Sequence, residues 1–108
     1  MTEAELQRAI LLAVGSRADC RFWRNNVGVG RSLSGERVIR FGLVGSADLM
    51  GILRGGRFIA VEVKTAKGRQ SKQQKSFERM VRSMGGIYVL ARSVEDVVEV
   101  LDEETGGW

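Results

Sequence analysis

Residues 47–64 read ADLMGILRGGRFIAVEVK, and this stretch decides the fold of the chain. Two largely apolar runs, 47–53 and 57–64, flank the pair Gly55-Gly56. A glycine pair between apolar runs is typical of a tight turn that joins two antiparallel strands. We therefore predict a β-hairpin here, at the centre of the protein.

The second strand of this hairpin ends in two opposite charges on one face. Side chains alternate between the faces of a strand, so one face is predicted to be apolar and the other mixed. The apolar face holds Ile59, Val61 and Val63, and the mixed face holds Phe58, Ala60, Glu62 and Lys64. An ion pair at a strand end would account for Glu62 and Lys64 taken alone.

Asp48, on the first strand of the hairpin, points to more than an ion pair. The hairpin brings Asp48 alongside Glu62, and like charges side by side in a sheet repel each other unless a cation lies between them. A hard divalent ion such as Mg²⁺ suits a pair of carboxylates that also faces phosphate oxygens. The alternative for Asp48 is a structural aspartate at a turn or strand end.

Helices are predicted on both sides of the hairpin. Residues 2–14 have helical periodicity, with Thr2 and Glu5 placed as a capping box. A second helix runs from Ser71 to about residue 84 and stops at Gly85-Gly86, with an inner face of Phe77, Met80, Val81 and Met84. Ser93 caps a third helix, whose inner stripe is Val94, Val97, Val98 and Leu101.

Further strands are predicted over 21–25, 38–41 and 87–91, a mobile loop over 28–36 and a loose tail over 102–108. The order is helix, three or four strands, helix, strand, helix, which implies an α/β fold with a mixed β-sheet flanked by helices. No linker interrupts it, so a single domain is expected over residues 1–108.

Composition excludes several kinds of chemistry. The chain has no histidine, which excludes His-based acid–base catalysis, Ser-His triads, His-metal nucleases and most zinc sites. The single cysteine, Cys20, cannot form an internal disulfide and is expected to be a small buried apolar residue in a reducing compartment. Seventeen Lys and Arg against thirteen Asp and Glu give a net charge of +4, which suits a polyanionic partner.

The sequence also predicts where the protein is found and which cofactors it does not use. The N-terminus is acidic and the longest apolar run covers only residues 9–14, so we expect no secretory signal, no membrane span and a soluble cytoplasmic protein. Gly28 and Gly30 lack the third glycine and the long preceding strand of a dinucleotide-binding motif. No nucleotide cofactor is therefore expected.

Asp48 followed by Glu62-Val63-Lys64 resembles the D…(D/E)xK core of the restriction-endonuclease-like superfamily. The order of the surrounding motifs resembles its virus-type replication-repair nuclease (VRR-NUC) branch. The matching motifs are Glu3 and Gln7, Arg24-Asn25-Asn26 with Gly28, Gly45-Ser46-Ala47-Asp48-Leu49, Glu62-Val63-Lys64, and Ser71 with Gln74. A proline is common in this branch where the chain has Ala47, but that difference removes no ligand.

The resemblance implies a restriction-endonuclease-like core in αβββαβα order and metal-dependent hydrolysis of DNA. Asp48, Glu62 and the backbone carbonyl of Val63 would hold Mg²⁺ or Mn²⁺, and Lys64 would act on the attacking water. Glu3 would position a second ion or a water. Gln7 and Gln74 would adjust the site through contacts with the metal ligands, without binding the metal themselves.

Glu3 and Gln74 each have a structural alternative. On a helical wheel Glu3 falls on the inward arc with Leu6 and Ile10, where a carboxylate needs a partner, although a frayed first turn would leave it in water. Gln74 lies three residues after Ser71, so it completes a capping box whether or not it reaches an active site.

Basic residues supply the predicted DNA contacts, which are Arg24, Asn26, Arg31, Lys67, Lys72 and Lys75. Arg37 and Arg40 beside the glycine-rich loop could also reach a DNA backbone. For the cations of the second helix, an ordinary solvated face is the alternative.

The sequence thus predicts a metal-dependent DNA endonuclease that acts on flaps or four-way junctions. A junction resolvase needs two active sites, so a homodimer is expected. The alternatives are a non-catalytic basic module that binds or assembles on DNA, and a purely structural interaction domain.

Overall fold

The computed structural model describes residues 1–106, apart from the side chains of Val29, Arg40 and Phe41. The elements are α1 (Glu3–Val14), β1 (Cys20–Arg24), β2 (Gly28–Arg31), β3 (Val38–Phe41), β4 (Leu49–Leu53), β5 (Phe58–Val63), α2 (Lys72–Ser83), β6 (Ile87–Ala91) and α3 (Val94–Thr105). Thr2, Ser71 and Ser93 are the N-caps of the three helices, as predicted from the sequence.

The main sheet has four strands in the order β1-β4-β5-β6. β1 pairs with β4 and β4 with β5 in antiparallel register, whereas β5 and β6 are parallel because α2 crosses over between them. The predicted Gly55-Gly56 turn joins β4 to β5, and both glycines have positive φ angles, of 99° and 97°. With the separate β2–β3 pair set aside, the element order is αβββαβα, and the predicted mixed sheet flanked by helices is confirmed.

The core lies on both faces of this sheet, as the alternation along β5 predicts. Ile59, Val61 and Val63 are fully buried in a cluster that includes residues of α1 and α3. On the other face Ala60 is buried against α2. Glu62 is therefore on the α2 face of the sheet, at the end of a strand whose neighbours are core residues.

Two predictions about secondary structure are wrong. Residues 28–31 were expected within a loop, but they form β2, which pairs with β3 from Gly28↔Phe41 to Arg31↔Val38. Pairing with a partner strand outweighs the low strand propensity of the two glycines. The tail expected from residue 102 is helical as far as Thr105, because Asp102 and Thr105 are tied to Arg17 and Asp19. Gly107 and Trp108 lie outside the described residues.

The inner face of α2 is narrower than its sequence predicts. Phe77 and Val81 are buried, whereas Met80 and Met84 are exposed. The inward arc passes through Gln74 and Phe77 instead, because α2 packs over the end of the sheet where Glu62 lies. None of the helices in the described part of the chain is long and apolar enough to cross a membrane.

Candidate active site

Asp48 and Glu62 lie side by side at one end of the β4–β5 ladder. The register pairs Leu49 with Val61, so the residues just beyond that pair are Asp48 and Glu62. Oδ2 of Asp48 accepts a hydrogen bond from the backbone N–H of Val63, at 2.8 Å. This bond closes the ladder and fixes the Asp48 carboxylate beside β5.

Glu62 is a buried acid with an incomplete set of partners. Only 2% of the residue is exposed. Its Oε2 accepts a hydrogen bond from Nε2 of Gln74 at 3.1 Å and lies 3.9 Å from Nζ of Lys64. Its Oε1 is buried and has no hydrogen-bond partner among residues 1–106. An orphaned buried carboxylate oxygen is costly unless something else binds it.

The electrostatics of Glu62 follow from this setting. Burial raises the pKa of its carboxyl group to about 8, and Asp48 adds to the increase through its charge and through the hydrogen bond that a protonated Glu62 makes to it. Lys64 opposes the shift, while the more distant charge of Glu3 adds slightly to it. Without a further cation, the ionised form of Glu62 is therefore disfavoured near neutral pH.

Gln74 both caps α2 and contacts Glu62. Its Oε1 accepts from the backbone N–H of Ser71 at 2.8 Å, which completes the capping box of α2. Its Nε2 donates to Glu62. The start of α2 is thus bound directly to the buried acid, and the part of Gln74 in chemistry stays a prediction.

Lys64 directly follows β5, and only 13% of its side chain is exposed. The loop after it returns to cover the side chain. A Cβ added at Gly68 would lie 3.2 Å from Cδ of Lys64 and 3.4 Å from its Cβ. Glycine at position 68 therefore lets the loop backbone pack against the lysine stem.

Asn25 anchors the segment that carries Asp48. Its backbone N–H donates to the carbonyl of Asp48 at 2.9 Å, and its Nδ2 donates to Oγ of Ser46 and to the carbonyl of Ala47. Sequence reasoning named Asn26 in this stretch, whose side chain is exposed, and did not find the anchoring role of Asn25. A side-chain amide at the end of a strand was the available signal.

Gly45 allows the same segment to approach α2. Its φ angle is +86°, and an added Cβ would come within 2.6 Å of the backbone of Gln73. No other residue satisfies both the positive φ and the close contact without strain. Gly45 thus places the turn before Asp48 against the first turn of α2, next to Gln74.

Glu3 and Gln7 lie on α1, at the margin of the site. Both are half-buried, and the charge of Glu3 is felt by Glu62. Gln7 accepts a hydrogen bond from Nη1 of Arg24 at 3.0 Å, so it orients a predicted DNA contact rather than either acid.

Tyr88 and Gln70 were missed by the sequence analysis. Tyr88 lies in β6 beside Ala60, and burial raises the pKa of its hydroxyl group to about 12. Nε2 of Gln70 donates to Oη of Tyr88 and to Oε1 of Glu78 on α2. These bonds tie the loop after Lys64 to α2 and the sheet. The signal was a tyrosine in a buried strand, whose hydroxyl group needs a partner.

The pair of Asp48 and Glu62 fits a hard divalent cation. Mg²⁺ is usually held by one or two carboxylates together with water and phosphate oxygens. The orphaned Oε1 of Glu62 is an oxygen that could bind such a cation. In residues 1–106, no three His, Cys, Asp or Glu side chains gather into a metal-binding group. Glu3 is therefore set apart from the pair, and its role, like that of the Val63 carbonyl, stays a prediction.

The side chains predicted to contact DNA are all exposed. They are Arg24, Asn26, Arg31, Lys67, Lys72 and Lys75. Lys72 and Lys75 lie in the first turn of α2, on either side of Gln74 in sequence, whereas Arg31 lies in β2. The side chain of Arg40 lies outside the described part of the structure.

The fold is similar to that of a known protein. A solved structure described as a "VRR_NUC domain protein" matches with a TM-score of 0.63 over 95% of this chain and 87% of that chain, at 19% sequence identity. No family model matches the sequence, and no curated protein does. The likeness confirms the predicted fold class, an α/β fold with a mixed sheet flanked by helices.

Proposed function

We propose that the protein is a divalent-metal-dependent DNA endonuclease that hydrolyses phosphodiester bonds. The observation that carries this proposal is the buried Glu62, which has an orphaned oxygen and a neighbouring acid, Asp48. A protein rarely keeps such a pair for stability alone, since perturbed carboxyl groups cluster at functional sites. The nuclease-type fold supports the same conclusion.

The chain's own residues divide the work. Asp48 and Glu62 would hold Mg²⁺ or Mn²⁺, which supplies a Lewis acid for the scissile phosphate and a more acidic water. Gln74 binds Oε2 of Glu62 and leaves Oε1 available as a ligand. Val63 holds the Asp48 carboxylate in place through its N–H.

Lys64 contributes a positive charge where negative charge develops. Its stem is covered by the loop at Gly68, and its Nζ lies 3.9 Å from Glu62, a distance that leaves the ammonium hydrogens available to other acceptors. In this position Nζ orients the attacking water and offsets charge on the phosphoryl oxygens.

The proposed substrate is branched DNA, either a flap or a four-way junction, and the proposed assembly is a homodimer. Symmetric cutting of a junction needs two sites, which two copies of this chain would supply. The β2–β3 pair offers a surface for a second copy, because Leu33, Val38 and Ile39 are exposed on and beside it. The radius of gyration is 14.9 Å, against about 13 Å for a compact chain of this length, which agrees with a projecting arm.

A cleavage assay tests the proposal. With Mg²⁺, wild-type protein should nick duplex, flap or four-way-junction DNA. Glu62→Gln should lower the rate by about a thousandfold because it removes a metal ligand. Lys64→Met should lower it by about a hundredfold. Glu99→Gln, which removes an exposed acid on α3, is the matched control and should cleave like wild type.

Cleavage that survives Glu62→Gln, or that proceeds equally well in EDTA, would contradict the proposal. Salt-sensitive DNA binding without any cleavage would favour the non-catalytic DNA-binding module instead. Sedimentation of the free protein tests the homodimer, since a particle of 11.9 kDa would be a monomer.

A further inference from the structure

A basic cleft opens directly beyond Lys64. It has a volume of about 550 Å³ and is lined by Ala66, Lys67, Gly68, Arg69 and Arg92. Three of these five residues are cationic, and no acid lines the cleft. Like charges converging in one cleft repel each other, so the arrangement favours a bound anion.

Arg92 gives the cleft a fixed wall. Its Nη1 donates to the carbonyls of Thr65 and Ala66, at 2.5 Å and 3.4 Å. Its backbone N–H donates to Oδ2 of Asp96, so that carboxylate is engaged by the main chain. The guanidinium group keeps further N–H donors for a ligand, because only Nη1 is used in these bonds.

Lys67 and Arg69 have no partner within the described part of the chain. Neither side chain makes a hydrogen bond or an ion pair there, and both are exposed. The other end of the loop is tied down through Gln70 to Tyr88. The loop is thus held at both ends while it presents two uncommitted cations.

The cleft is also joined to the candidate active site. Gly68 packs on the stem of Lys64. Lys67 follows Lys64 by three residues, at most about 10 Å along the chain, and each strand of a duplex carries a phosphate about every 3.4 Å along its axis. An extended nucleic acid in the active site would therefore bring a neighbouring phosphate to the cleft.

We infer that Lys67, Arg69 and Arg92 form a binding cleft for a nucleic-acid phosphate next to the one that is cleaved. The inference rests on the proposed function for the position of the cleaved phosphate. The volume of the cleft exceeds what a single free phosphate needs, which favours a phosphate within a longer chain. The cleft binds and aligns the substrate and takes no part in the chemistry.

DNA binding in EDTA separates this cleft from catalysis. A fluorescein-labelled duplex and a labelled four-way junction are titrated with the full chain between about 50 and 200 mM salt. K67Q/R69Q should bind about tenfold more weakly at the lower salt, and the slope of log affinity against log salt should fall by about 2. K67R/R69K, which retains both charges, should keep most of the affinity that wild type has for DNA.

R54Q/R57Q is the control for total charge, because it removes the same two charges at the hairpin end of the sheet. Arg54 donates to the carbonyl of Ala18 and Arg57 binds Glu104, so thermal melting first checks that this variant is folded. Arg57 precedes Glu62 by five residues, roughly 16 Å along β5. This variant should change affinity by less than about twofold. Equal weakening by both double variants would overturn the inference, since only total charge would then matter.

The remaining outcomes distinguish the cleft from the nuclease proposal. With Mg²⁺, K67Q/R69Q should raise KM and leave kcat within about threefold. If wild type does not cleave but K67Q/R69Q still loses affinity, the nuclease proposal fails and the cleft stands as a DNA-phosphate site without a neighbouring cleaved phosphate. The cleft inference is wrong if wild type binds no DNA or if K67Q/R69Q binds DNA like wild type. It is also wrong if a parallel titration with inorganic phosphate shows that the variant loses affinity for that ion alone.

Discussion

Two charged clusters, each built around a buried acid, lie at opposite ends of the four-stranded sheet. The Arg17 cluster consists of Arg17, Asp19, Asp102 and Thr105, beside the start of β1, and the Glu62 cluster consists of Asp48, Glu62, Lys64 and Gln74. Each has two acids and one cation. In the first, hydrogen bonds to Arg17 hold the pKa of Asp19 well below its usual range, whereas burial raises the pKa of Glu62 to about 8.

Geometry, and not charge count, separates the two clusters. Arg17 grips Asp19 through two parallel hydrogen bonds of 2.9 Å and 2.8 Å, and Thr105 donates to the same carboxylate. Lys64 stands 3.9 Å from Glu62, one oxygen of which has no partner in residues 1–106. A buried acid with complete partners stabilises the fold, whereas one with a missing partner indicates a bound ligand.

The largest expected effect comes from breaking the Arg17 cluster. Asp19→Ala leaves the buried Arg17 without its bidentate partner, which should cost about 3 kcal/mol of folding free energy. Asp102→Ala should cost less than about 1 kcal/mol, because 53% of the Asp102 side chain is exposed. Urea unfolding near neutral pH measures both, and equal losses would show that the two acids contribute alike.

Neutralising Glu62 should have the opposite sign. Because its pKa is raised to about 8, the folded chain keeps a proton that the unfolded chain loses at lower pH. Without metal, folding stability should therefore fall as the pH rises toward and through 8. Glu62→Gln removes this loss, so the variant should be more stable than wild type by on the order of 2 kcal/mol near pH 9 and no more stable near pH 4.

Metal should reverse that order. Mg²⁺ binds the folded state, so it should raise the Tm of wild type and leave that of Glu62→Gln nearly unchanged. Melting curves of wild type and Glu62→Gln, recorded with EDTA and with Mg²⁺ near pH 4 and near pH 9, compare the two proteins under all four conditions. A variant that is less stable than wild type in EDTA near pH 9 would mean that Glu62 is a structural acid like Asp19.

Local rules made much of the fold predictable. The Gly55-Gly56 turn, the alternation along 58–63 and the capping residues depend on neighbours in sequence, and all are found. The helical end of α3 was not predictable, because it depends on bonds from Asp102 and Thr105 to residues more than eighty positions away. Strand β2 was missed because its partner strand overrides two glycines.

The candidate site divides in the same way. The approach of Asp48 to Glu62 follows from the hairpin alone, so sequence could predict it. The bond from Gln70 to Tyr88 and the anchoring by Asn25 depend on how loops fold back over the sheet. No periodic pattern encodes those contacts, and the sequence analysis did not find them.

Gln74 allows the capping role to be separated from the contact with Glu62. Gln74→Ala loses both and should destabilise the chain by about 1 kcal/mol. Gln74→Glu keeps a capping-box acceptor for the N–H of Ser71 but places a further negative charge beside Glu62. The second variant should keep helix stability. As long as its own carboxylate stays outside the metal site, it should still weaken the binding of Mg²⁺ near neutral pH.

Calorimetric titration with Mg²⁺ and thermal melting in EDTA give the two readouts. Tighter Mg²⁺ binding by Gln74→Glu would mean that position 74 supplies a ligand itself. An unchanged melting temperature for Gln74→Ala would mean that the capping box contributes nothing measurable.

The smallest effect is expected at Gly68, where the Glu62 cluster meets the loop. An alanine Cβ there would lie 3.2 Å from Cδ of Lys64, closer than ordinary contact, so the lysine stem must move by a few tenths of an ångström. Folding stability should change by less than about 1 kcal/mol, because the moving group is a flexible side chain. The cleavage rate should fall about fivefold, since Nζ of Lys64 leaves its position beside Glu62.

The double variant Gly68→Ala/Lys64→Met tests whether alanine at position 68 lowers the cleavage rate by displacing Lys64. If alanine acts only by displacing Lys64, it should have no further effect on the rate once the ammonium group is absent, and the two losses will not add. Additive losses would mean that Gly68 acts independently of Lys64, through the basic cleft that it also lines. The coupling between Gly68 and Lys64 in the cleavage rate thus measures how far the geometry of the Glu62 cluster depends on a loop.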